Sequence, residues 1–208
     1  MKKIAVLVSG GGTNLQALID AQQAGLIVNG AITAVISSDP SAYALERAAK
    51  ANIPGYVISR KSYPSNQAMT MALTEKLREL EIDLVVLAGF MTILTTEIVQ
   101  AFPNAILNIH PALIPSFCGP GCYGLHVHEK ALEYGVKLSG ATVHFVSEEC
   151  DGGPIVVQKA VDVLPDDTPE VLQRRIMEQC EWKILPWAVS MFCQDKLRVE
   201  GRIVRVLE

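Results

Sequence analysis

The alternation of short β-branched runs with amphipathic segments limits the folds open to this chain more than any other feature. The runs "KIAVLV" (3–8), "AITAVIS" (31–37) and "GYVIS" (55–59) are each predicted to form a strand, and a turn and a helical segment follow each of them. The run "IDLVVLAG" (82–89) is almost entirely apolar, as a central parallel strand covered on both faces is expected to be. Because strands that alternate with helices form βαβ units, the sequence predicts a Rossmann-like α/β fold. Its sheet is expected to be mostly parallel and twisted, with helices on both faces.

The pattern changes after residue 110. The segment "PALIPSFCGPGCYG" (111–124) is rich in Pro and Gly and is predicted to form a long irregular loop, a kind of segment that is commonly functional. A short helix is predicted over residues 128–135. The stretch "SGATVHFVSEECDGGPIVVQKAVDV" (139–163) predicts two strands joined by a turn-rich loop. We expect these strands to be antiparallel because no helix separates them.

The C-terminal part predicts one long amphipathic helix and a hairpin. The helix is predicted over residues 168–194, with Thr168 as its N-cap and Pro186 as a kink or break. The tail "LRVEGRIVRVL" (197–207) predicts a β-hairpin. We find no internal repeat or linker, and a chain of 208 residues that is 50% hydrophobic can bury a large core in one piece. The sequence therefore predicts a single domain spanning residues 1–208.

Charge and hydropathy argue against two classes of partner. The formal net charge is -4 and Lys and Arg are scattered, which argues against a nucleic-acid surface. No apolar stretch approaches the roughly 20 residues that a membrane-spanning helix needs. The N-terminal "MKKIAVLVSGGG" has too short an apolar run for a signal peptide and passes straight into a glycine turn. We therefore expect a cytoplasmic protein with no nucleic-acid or membrane partner.

The cysteines predict free thiols. An odd number in a chain of this kind does not suggest a disulfide framework. In "CGPGCYGLHVH" two cysteines precede two histidines, and both residue types are common zinc ligands. The C-x3-C-x3-H-x-H spacing is not an established zinc pattern, so a structural loop without a metal is the preferred interpretation. The residues concerned are Cys118, Cys122, Cys150, Cys180 and Cys193, with His126 and His128.

The turn "SGGGTN" (9–14) joins the first strand to the first helix and predicts an anion site. Glycines allow the backbone to approach an anion, and a helix N-terminus supplies unpaired N–H groups. The Gly-Lys-Ser/Thr of a Walker A loop is missing, and Leu15 stands where a dinucleotide motif has its third glycine. A monophosphate therefore fits better than a pyrophosphate, and a tight turn without a ligand is the alternative. An ordinary turn aspartate is preferred for Asp39 over an NAD ribose ligand, and no NAD is expected.

Two polar side chains end the apolar run "ILNIHPALIP" (106–115). Asn108 and His110 lie two residues apart, so they face the same side of a strand. Ligands of open α/β sheets bind beyond the carboxyl ends of the strands, so both residues should border the same crevice as the glycine turn. Asp151, held in a Gly-rich turn, supplies a carboxylate that would favour a charged imidazolium.

These residue types suit acyl-type transfer through a tetrahedral intermediate. Asn and protonated His both donate hydrogen bonds to an oxyanion, and His can also give a proton. No serine or cysteine nucleophile is needed if the substrate brings its own amine. The alternatives are a packed strand-end His110 and a turn-forming Asp151.

Four segments together resemble one enzyme family. "VSGGGTNLQALID", "LVVLAGFM", "ILNIHPALIP" and "GATVHFVSEECDGGPIVVQ" closely resemble the phosphoribosylglycinamide formyltransferases in order and separation, from about residue 3 to about residue 195. The resemblance implies formyl transfer from 10-formyltetrahydrofolate, a co-substrate, to the amine of glycinamide ribonucleotide (GAR) in de novo purine synthesis. It further implies small-molecule partners only, no metal, and a monomer or homodimer.

The resemblance also implies roles for individual residues. His110 is expected to be the proton donor, Asp151 to raise its pKa, and Asn108 to bind the formyl oxygen. The expected ribonucleotide and phosphate ligands are Gly11, Gly12, Thr13, Asn14 and Glu181. The expected folate-binding residues are Asn66, Met91, Thr92, Ile93, Leu94, Asn108, Ser147, Glu148, Glu149, Cys150 and Asp151.

The sequence departs from the family at two places. Asn66 stands where many members carry an Arg that contacts folate, which leaves the contact with the folate tail open. The loop 111–127 is longer than in the shortest members, and either a lid or a surface-packed loop is consistent with its composition.

Three other functions remain open at this point. A formyltetrahydrofolate hydrolase, in which water replaces the amine, usually carries an extra N-terminal regulatory domain and lacks this glycine turn. A methionyl-tRNA formyltransferase would need a C-terminal tRNA-binding extension and a basic surface. In a non-catalytic nucleotide-binding module, Asn108, His110 and Asp151 would be incidental.

Overall fold

A computed structural model describes residues 1–207 of the chain, and their nine strands form one sheet. The strands are β1 (Lys2–Val8), β2 (Gly30–Ser37), β3 (Gly55–Val57), β4 (Leu84–Leu87), β5 (Ile106–His110), β6 (Leu138–Phe145), β7 (Ile155–Asp162), β8 (Leu197–Glu200) and β9 (Ile203–Val206). The α-helices are α1 (Thr13–Gln23), α2 (Tyr43–Lys50), α3 (Asn66–Glu79), α4 (Thr96–Ala101), α5 (Leu125–Tyr134), α6 (Pro169–Ile176) and α7 (Trp182–Cys193).

The strand order is β3-β2-β1-β4-β5-β6-β7-β9-β8. All neighbours from β3 to β5 are parallel. Strand β6 is antiparallel to both β5 and β7, β9 is parallel to β7, and β8 and β9 form an antiparallel hairpin. The predicted mostly parallel sheet with antiparallel strands in the C-terminal half is confirmed.

Helices cover both faces of the sheet, as predicted. On one face Leu15 of α1 and Leu185 of α7 belong to a buried cluster that also includes residues of α2 and α6. On the other face Met69 and Leu73 of α3 and Ile98 of α4 form a second buried cluster. The central strands β1 and β4 contribute side chains to both clusters, which explains why β4 and the part of β1 from Ile4 to Val8 are apolar at every position.

Helix α5 begins at Leu125, three residues before the predicted start. Gly124, with a φ of 55°, precedes its first residue. His126 and His128 are therefore helical, and the irregular loop ends before them. Strand β3 is also shorter than predicted and ends at Val57.

A break at Pro186, one of the two predicted outcomes, does not occur. Helix α7 continues through this residue, and the departure from α geometry lies upstream, in a π turn over Met177–Glu181 that connects α6 to α7. Proline removes one backbone donor and crowds the carbonyl four residues earlier. Thr168 caps α6 as predicted, accepting a hydrogen bond from Val171 N.

The topology brings three segments to one edge of the sheet. The glycine turn follows β1, a loop containing Met91 follows β4, and His110 ends β5. Because these strands are adjacent and parallel, the ends of β1 and β5 lie two strand spacings apart, about 10 Å. Within residues 1–207, no helix is long and apolar enough to cross a membrane.

Candidate active site

Asn108, His110 and Asp151 meet at the carboxyl end of β5. The Nδ1 atom of His110 lies 3.6 Å from Asp151 Oδ2, and the Nδ2 atom of Asn108 lies 3.4 Å from Asp151 Oδ1. His110 is 4% exposed, so its ring is held inside the protein rather than on the surface. The three side chains thus form one cluster, in which each carboxylate oxygen faces a different partner on β5.

The loop between β6 and β7 holds Asp151 in place. Asp151 has a φ of 54°, in the left-handed region. Two residues later, a Cβ on Gly153 would lie 1.8 Å from the carbonyl oxygen of Phe145, so only glycine fits there. The Gly119 N–H also donates a hydrogen bond of 2.9 Å to Asp151 Oδ2. The carboxylate is therefore fixed by its own turn and by the loop after β5.

His144 is a fourth member of the cluster that sequence reasoning missed. It lies directly opposite Asn108 in the β5–β6 ladder and is 1% exposed. Its Nδ1–H donates to the Phe145 carbonyl (2.9 Å), which leaves Nε2 to accept from Asn108 Nδ2 at 3.1 Å. The same Nε2 lies 3.6 Å from Asp151 Oδ1. The available signal was a histidine inside the predicted strand "ATVHFV".

The electrostatics of the cluster differ from the expectation in one respect. Burial raises the pKa of Asp151, but the polar contact with His144, the charge of His110 and the Gly119 N–H lower it to about 2. For His110 the largest effect is burial, which lowers its pKa below 6.5, while Asp151 and the Phe117 carbonyl oppose that change. Asp151 does act to raise the pKa of His110, but burial outweighs it, so the expected imidazolium is not favoured in this arrangement.

The loop over residues 111–124 covers the cluster. The Nε2–H of His110 donates to the carbonyl oxygen of Phe117 at 2.8 Å, and Phe117 has a φ of 50°. Together with the Gly119 contact to Asp151, this places the loop directly against the polar groups. Every side-chain donor of Asn108 and His110 that faces the cluster is therefore engaged by protein atoms. A ligand oxygen must displace the Phe117 carbonyl to reach His110 Nε2.

The glycine turn is open to solvent at the same edge of the sheet. Gly10 and Gly11 are exposed, and Gly12 precedes α1 with a φ of 71°. The first turn of α1 contains no acidic residue, so its N–H groups present an uncompensated positive dipole end. The Nε–H of Arg47, on α2, donates to the Gly11 carbonyl at 2.8 Å and so holds the backbone of the turn. Asp39 accepts hydrogen bonds from Ser41, as an ordinary turn aspartate does.

Glu181 lies next to the glycine turn although it is 167 residues away from Asn14. The Nδ2 atom of Asn14 donates to Glu181 Oε2 at 2.8 Å. Glu181 is 5% exposed, and burial raises its pKa to about 7 against the lowering effect of the Asn14 hydrogen bond. The π turn that contains Glu181 directs its side chain toward α1. Thr13, the neighbour of Asn14, contacts Met177 Sδ in the same π turn at 3.8 Å.

The segment from Met91 to Leu94 follows β4 and presents apolar side chains to solvent. Met91 is 54% exposed and Ile93 is 66% exposed. The Met91 N–H donates to Ser9 Oγ at 2.8 Å, and Asn66 Nδ2 donates to the Ile93 carbonyl at 2.8 Å. Asn66 therefore supports this segment from α3 through a hydrogen bond to its backbone.

The loop from Ser147 to Cys150 borders the other side of the cluster. Ser147 Oγ–H donates to the Glu149 carbonyl at 3.1 Å, and Glu148, Glu149 and Cys150 are exposed. This loop leads directly into Asp151. The two predicted folate segments therefore approach the cluster from the ends of β4 and β6.

Comparison with known proteins identifies the family. Residues 2–189 match the formyl transferase family. The chain is 45% identical over 203 residues to the phosphoribosylglycinamide formyltransferase of Haemophilus influenzae. The aligned region covers 98% of this chain and 92% of the relative. The chain belongs to the formyl transferase family. The resemblance read from the sequence motifs is confirmed.

Solved structures of formyl transferases share the fold. The crystal structure of glycinamide ribonucleotide transformylase 1 from Symbiobacterium toebii has a TM-score of 0.94 and 46% identity, over 100% of this chain and 95% of that chain. A formyltetrahydrofolate deformylase from Pseudomonas syringae pv. tomato has a TM-score of 0.88 but 25% identity, over 100% of this chain and 66% of that chain. By sequence, this formyl transferase is thus more similar to the transformylase than to the deformylase.

The cysteine and histidine residues after β5 make other contacts in this structure. Within residues 1–207, no group of three or more His, Cys, Asp or Glu side chains is arranged to hold a metal ion. Lys130 Nζ donates instead to Cys122 Sγ at 3.2 Å, and Cys118 Sγ donates to the Pro115 carbonyl at 3.2 Å. All five cysteines are free thiols in the described part of this formyl transferase.

We predict that Gly12→Ala destabilises this formyl transferase by about 1–3 kcal/mol. The new Cβ would lie 2.7 Å from Ala44 Cβ, at a residue whose φ is +71°. The free energy of unfolding, measured by denaturant titration, tests this. Gly10→Ala is the matched control, because a Cβ there meets no atom within 4 Å. Equal losses in the two variants would contradict the prediction.

A second prediction concerns Glu181→Gln. Because the folded pKa of about 7 exceeds the ordinary value of 4.5, the wild-type protein loses stability as pH rises from 4.5 to 7. The loss amounts to about 3 kcal/mol and persists above that range. Glutamine does not ionise, so the variant should become more stable than wild type as pH rises. Urea unfolding at a series of pH values measures this, with exposed Glu178→Gln in the same π turn as the control. A difference that does not change with pH would argue against the buried carboxyl.

Proposed function

We propose that the protein transfers a formyl group from 10-formyltetrahydrofolate to the amine of N1-(5-phospho-D-ribosyl)glycinamide, in de novo purine (IMP) biosynthesis. The proposal rests on one observation. The side chains of Asn108, His110 and Asp151 lie together at the same edge of the sheet as the glycine turn. Membership of the formyl transferase family and the names of the relatives support it. The folate co-substrate supplies the formyl group, and the substrate amine is the nucleophile.

The ribonucleotide lies along the glycine turn and the first turn of α1. Its phosphate accepts hydrogen bonds from the backbone N–H groups between Gly11 and Asn14, where the helix dipole favours an anion. The Oδ1 atom of Asn14 is buried and has no hydrogen-bond partner among the described residues, which leaves an acceptor for a ribose hydroxyl. Glu181 fixes the orientation of the Asn14 side chain and completes this end of the site.

Asn108 and His110 act on the formyl oxygen. Phosphate at the end of β1 and formyl group at the end of β5 would lie about 10 Å apart, a separation that one extended ribonucleotide can bridge. As the amine attacks, negative charge develops on the formyl oxygen, and Asn108 Nδ2 and His110 Nε2 stabilise it by donating hydrogen bonds. His110 Nε2 becomes available for this when the Phe117 carbonyl is displaced, and Asn108 Nδ2 when it releases its 3.4 Å contact with Asp151 Oδ1.

Asp151 favours proton transfer by His110 once negative charge has developed on the formyl oxygen. The imidazole is neutral before reaction because burial lowers its pKa. Attack on the formyl carbon turns the substrate amine into an ammonium, whose excess proton passes to the imidazole. Negative charge on the formyl oxygen raises the pKa of His110, and the adjacent carboxylate of Asp151 stabilises the imidazolium that results. Asp151 itself stays ionised because its pKa is about 2. The proton then passes to the leaving folate nitrogen, either directly or through a water molecule held by Asp151.

The folate occupies the space between the two loops that flank the cluster. The exposed Met91 and Ile93 provide an apolar surface for its aromatic rings, and the loop from Ser147 to Asp151 lies opposite. Asn66 contributes through the Ile93 carbonyl rather than through a charge, since it holds the segment that carries the apolar side chains.

Incubation with 10-formyltetrahydrofolate, with and without GAR, tests the proposal. We expect formation of tetrahydrofolate only when GAR is present. Turnover without GAR would identify a hydrolase instead, and absence of folate binding would indicate a nucleotide-binding module. The same biosynthetic role leads us to propose a cytoplasmic location, and a monomer or homodimer remains the prediction for its assembly.

A further inference from the structure

Two free thiols lie beside the hydrogen bond that joins the covering loop to Asp151. Cys118 directly precedes Gly119, whose N–H donates to Asp151 Oδ2 at 2.9 Å, and Cys150 directly precedes Asp151. The Sγ atom of Cys150 lies 3.9 Å from that same carboxylate oxygen. The two cysteines therefore flank a short contact between loops that are 32 residues apart in sequence.

Burial and charged groups on the opposite loop raise the pKa of each thiol. Burial, then the charge of Asp151, then those of Cys122 and Glu149, raise the pKa of the Cys118 thiol. Glu149 and Asp151 are the two chain neighbours of Cys150. For Cys150, burial and Asp151 raise the pKa of the thiol most, followed by the charges of Cys118 and Cys122. Each thiol thus feels the charges on the opposite loop.

We propose that Cys118 and Cys150 form a thiol-modification site, in which a small disulfide such as glutathione disulfide oxidises them to an intramolecular disulfide bond. The exposed Cys150, as its thiolate, attacks one sulfur of the oxidant, forming a mixed disulfide and releasing one glutathione thiolate. The Cys118 thiolate then attacks the Cys150 sulfur and displaces the second. Two protein thiols lose two electrons and two protons, and one glutathione disulfide becomes two glutathione thiols.

The bond would hold the covering loop in its present position. In that position the Phe117 carbonyl accepts the hydrogen bond of His110 Nε2–H, the donor that the proposed mechanism needs for the formyl oxygen. The oxidised protein should therefore be inactive, and a reductant should restore it. This consequence rests on the proposed function, whereas formation of the bond does not. The raised pKa of both thiols slows their reaction at neutral pH, because the thiolate is the attacking species.

Non-reducing peptide mapping of the full chain, after incubation with glutathione disulfide and alkylation, tests the site. We expect a cross-linked peptide containing Cys118 and Cys150, and formyl transfer that falls in proportion to the bridged fraction and returns with dithiothreitol. Cys118→Ser should prevent the cross-link and keep its activity in the oxidant. Cys122→Ser, in the same loop, is the matched control and should still form the bridge.

Different results would overturn different parts. A Cys118–Cys122 bridge, or mixed disulfides alone, would refute the pairing. Full activity in a completely bridged protein would refute the locked loop. If the bridge forms but the reduced protein does not formylate GAR, the proposed function fails while the modification site stands.

Discussion

The His110→Ala variant is expected to retain the fold and to turn over about 10²–10³ times more slowly than wild type, with little change in KM. The expectation follows from the position of Nε2, which faces the cluster and is the donor that a formyl oxygen can reach once the Phe117 carbonyl moves. Removing a donor that acts mainly on developing charge lowers kcat and kcat/KM together. Steady-state kinetics with GAR and 10-formyltetrahydrofolate measure both quantities.

The control for this variant is His126→Ala. His126 lies on α5, its side chain is 57% exposed, and its Nδ1 contacts Glu129 at 2.8 Å. Its loss should leave kcat unchanged. Thermal unfolding of both variants separates a lost donor from lost structure, because His110 is buried and its truncation leaves a cavity. Near-normal turnover of a folded His110→Ala protein would remove His110 from the mechanism.

The position of Asn108 and His110 could be predicted because strand periodicity and sheet topology can both be inferred from the sequence. Two polar residues two apart at the end of an apolar run must share a face, and the alternation of strands and helices fixes which edge they reach. Asp151 does not follow from topology in the same way. Strand β6 runs antiparallel to β5 and ends beside Leu107, so the loop after it must fold back to bring Asp151 to Asn108 and His110.

His144 could not be assigned in the same way, because its role depends on register. In an antiparallel pair a slip of one residue would turn its ring to the opposite face of the sheet, and the sequence of β6 does not specify the slip. The structure pairs Asn108 with His144 and contains a register shift between Val143 and His144 against β7. The pKa of His110 was misjudged for a related reason. The carboxylate of Asp151 can be identified from the sequence, but the burial of His110 by the loop over residues 111–124 cannot.

The C-terminal helix shows a local rule overridden by tertiary structure. Pro186 predicted a kink or break, since proline lacks a backbone donor. Helix α7 nevertheless continues through Pro186, and the π turn at Met177–Glu181 lies upstream, where it directs Glu181 toward Asn14. Neither the turn nor its position follows from composition or periodicity. The contact of the Phe117 carbonyl with His110 was equally invisible, because it depends on backbone conformation in an irregular loop.

The Asp151→Asn variant is expected to lower kcat by about 10²–10³ although it preserves the shape of the side chain. Asparagine keeps an oxygen for the Gly119 N–H but has no charge to stabilise a protonated His110. Because the carboxylate is what opposes the effect of burial, its removal should lower the pKa of His110 further. The decline in rate with falling pH, where His110 becomes protonated before the amine attacks, should therefore begin at a lower pH than in wild type. Asp162→Asn, at the far, exposed end of β7, is the matched control.

The same substitution has a stability signature with a defined sign. The folded pKa of Asp151, about 2, lies below its ordinary value of 3.8, so ionisation stabilises the folded protein above pH 3.8. That contribution, up to about 2 kcal/mol, is lost as pH falls toward 2. Asp151→Asn should thus be less stable than wild type at neutral pH, and the difference should shrink in acid. If the variant kept both wild-type turnover and wild-type stability at neutral pH, the carboxylate would have no part in the electrostatics of the site, and His110 would act without it.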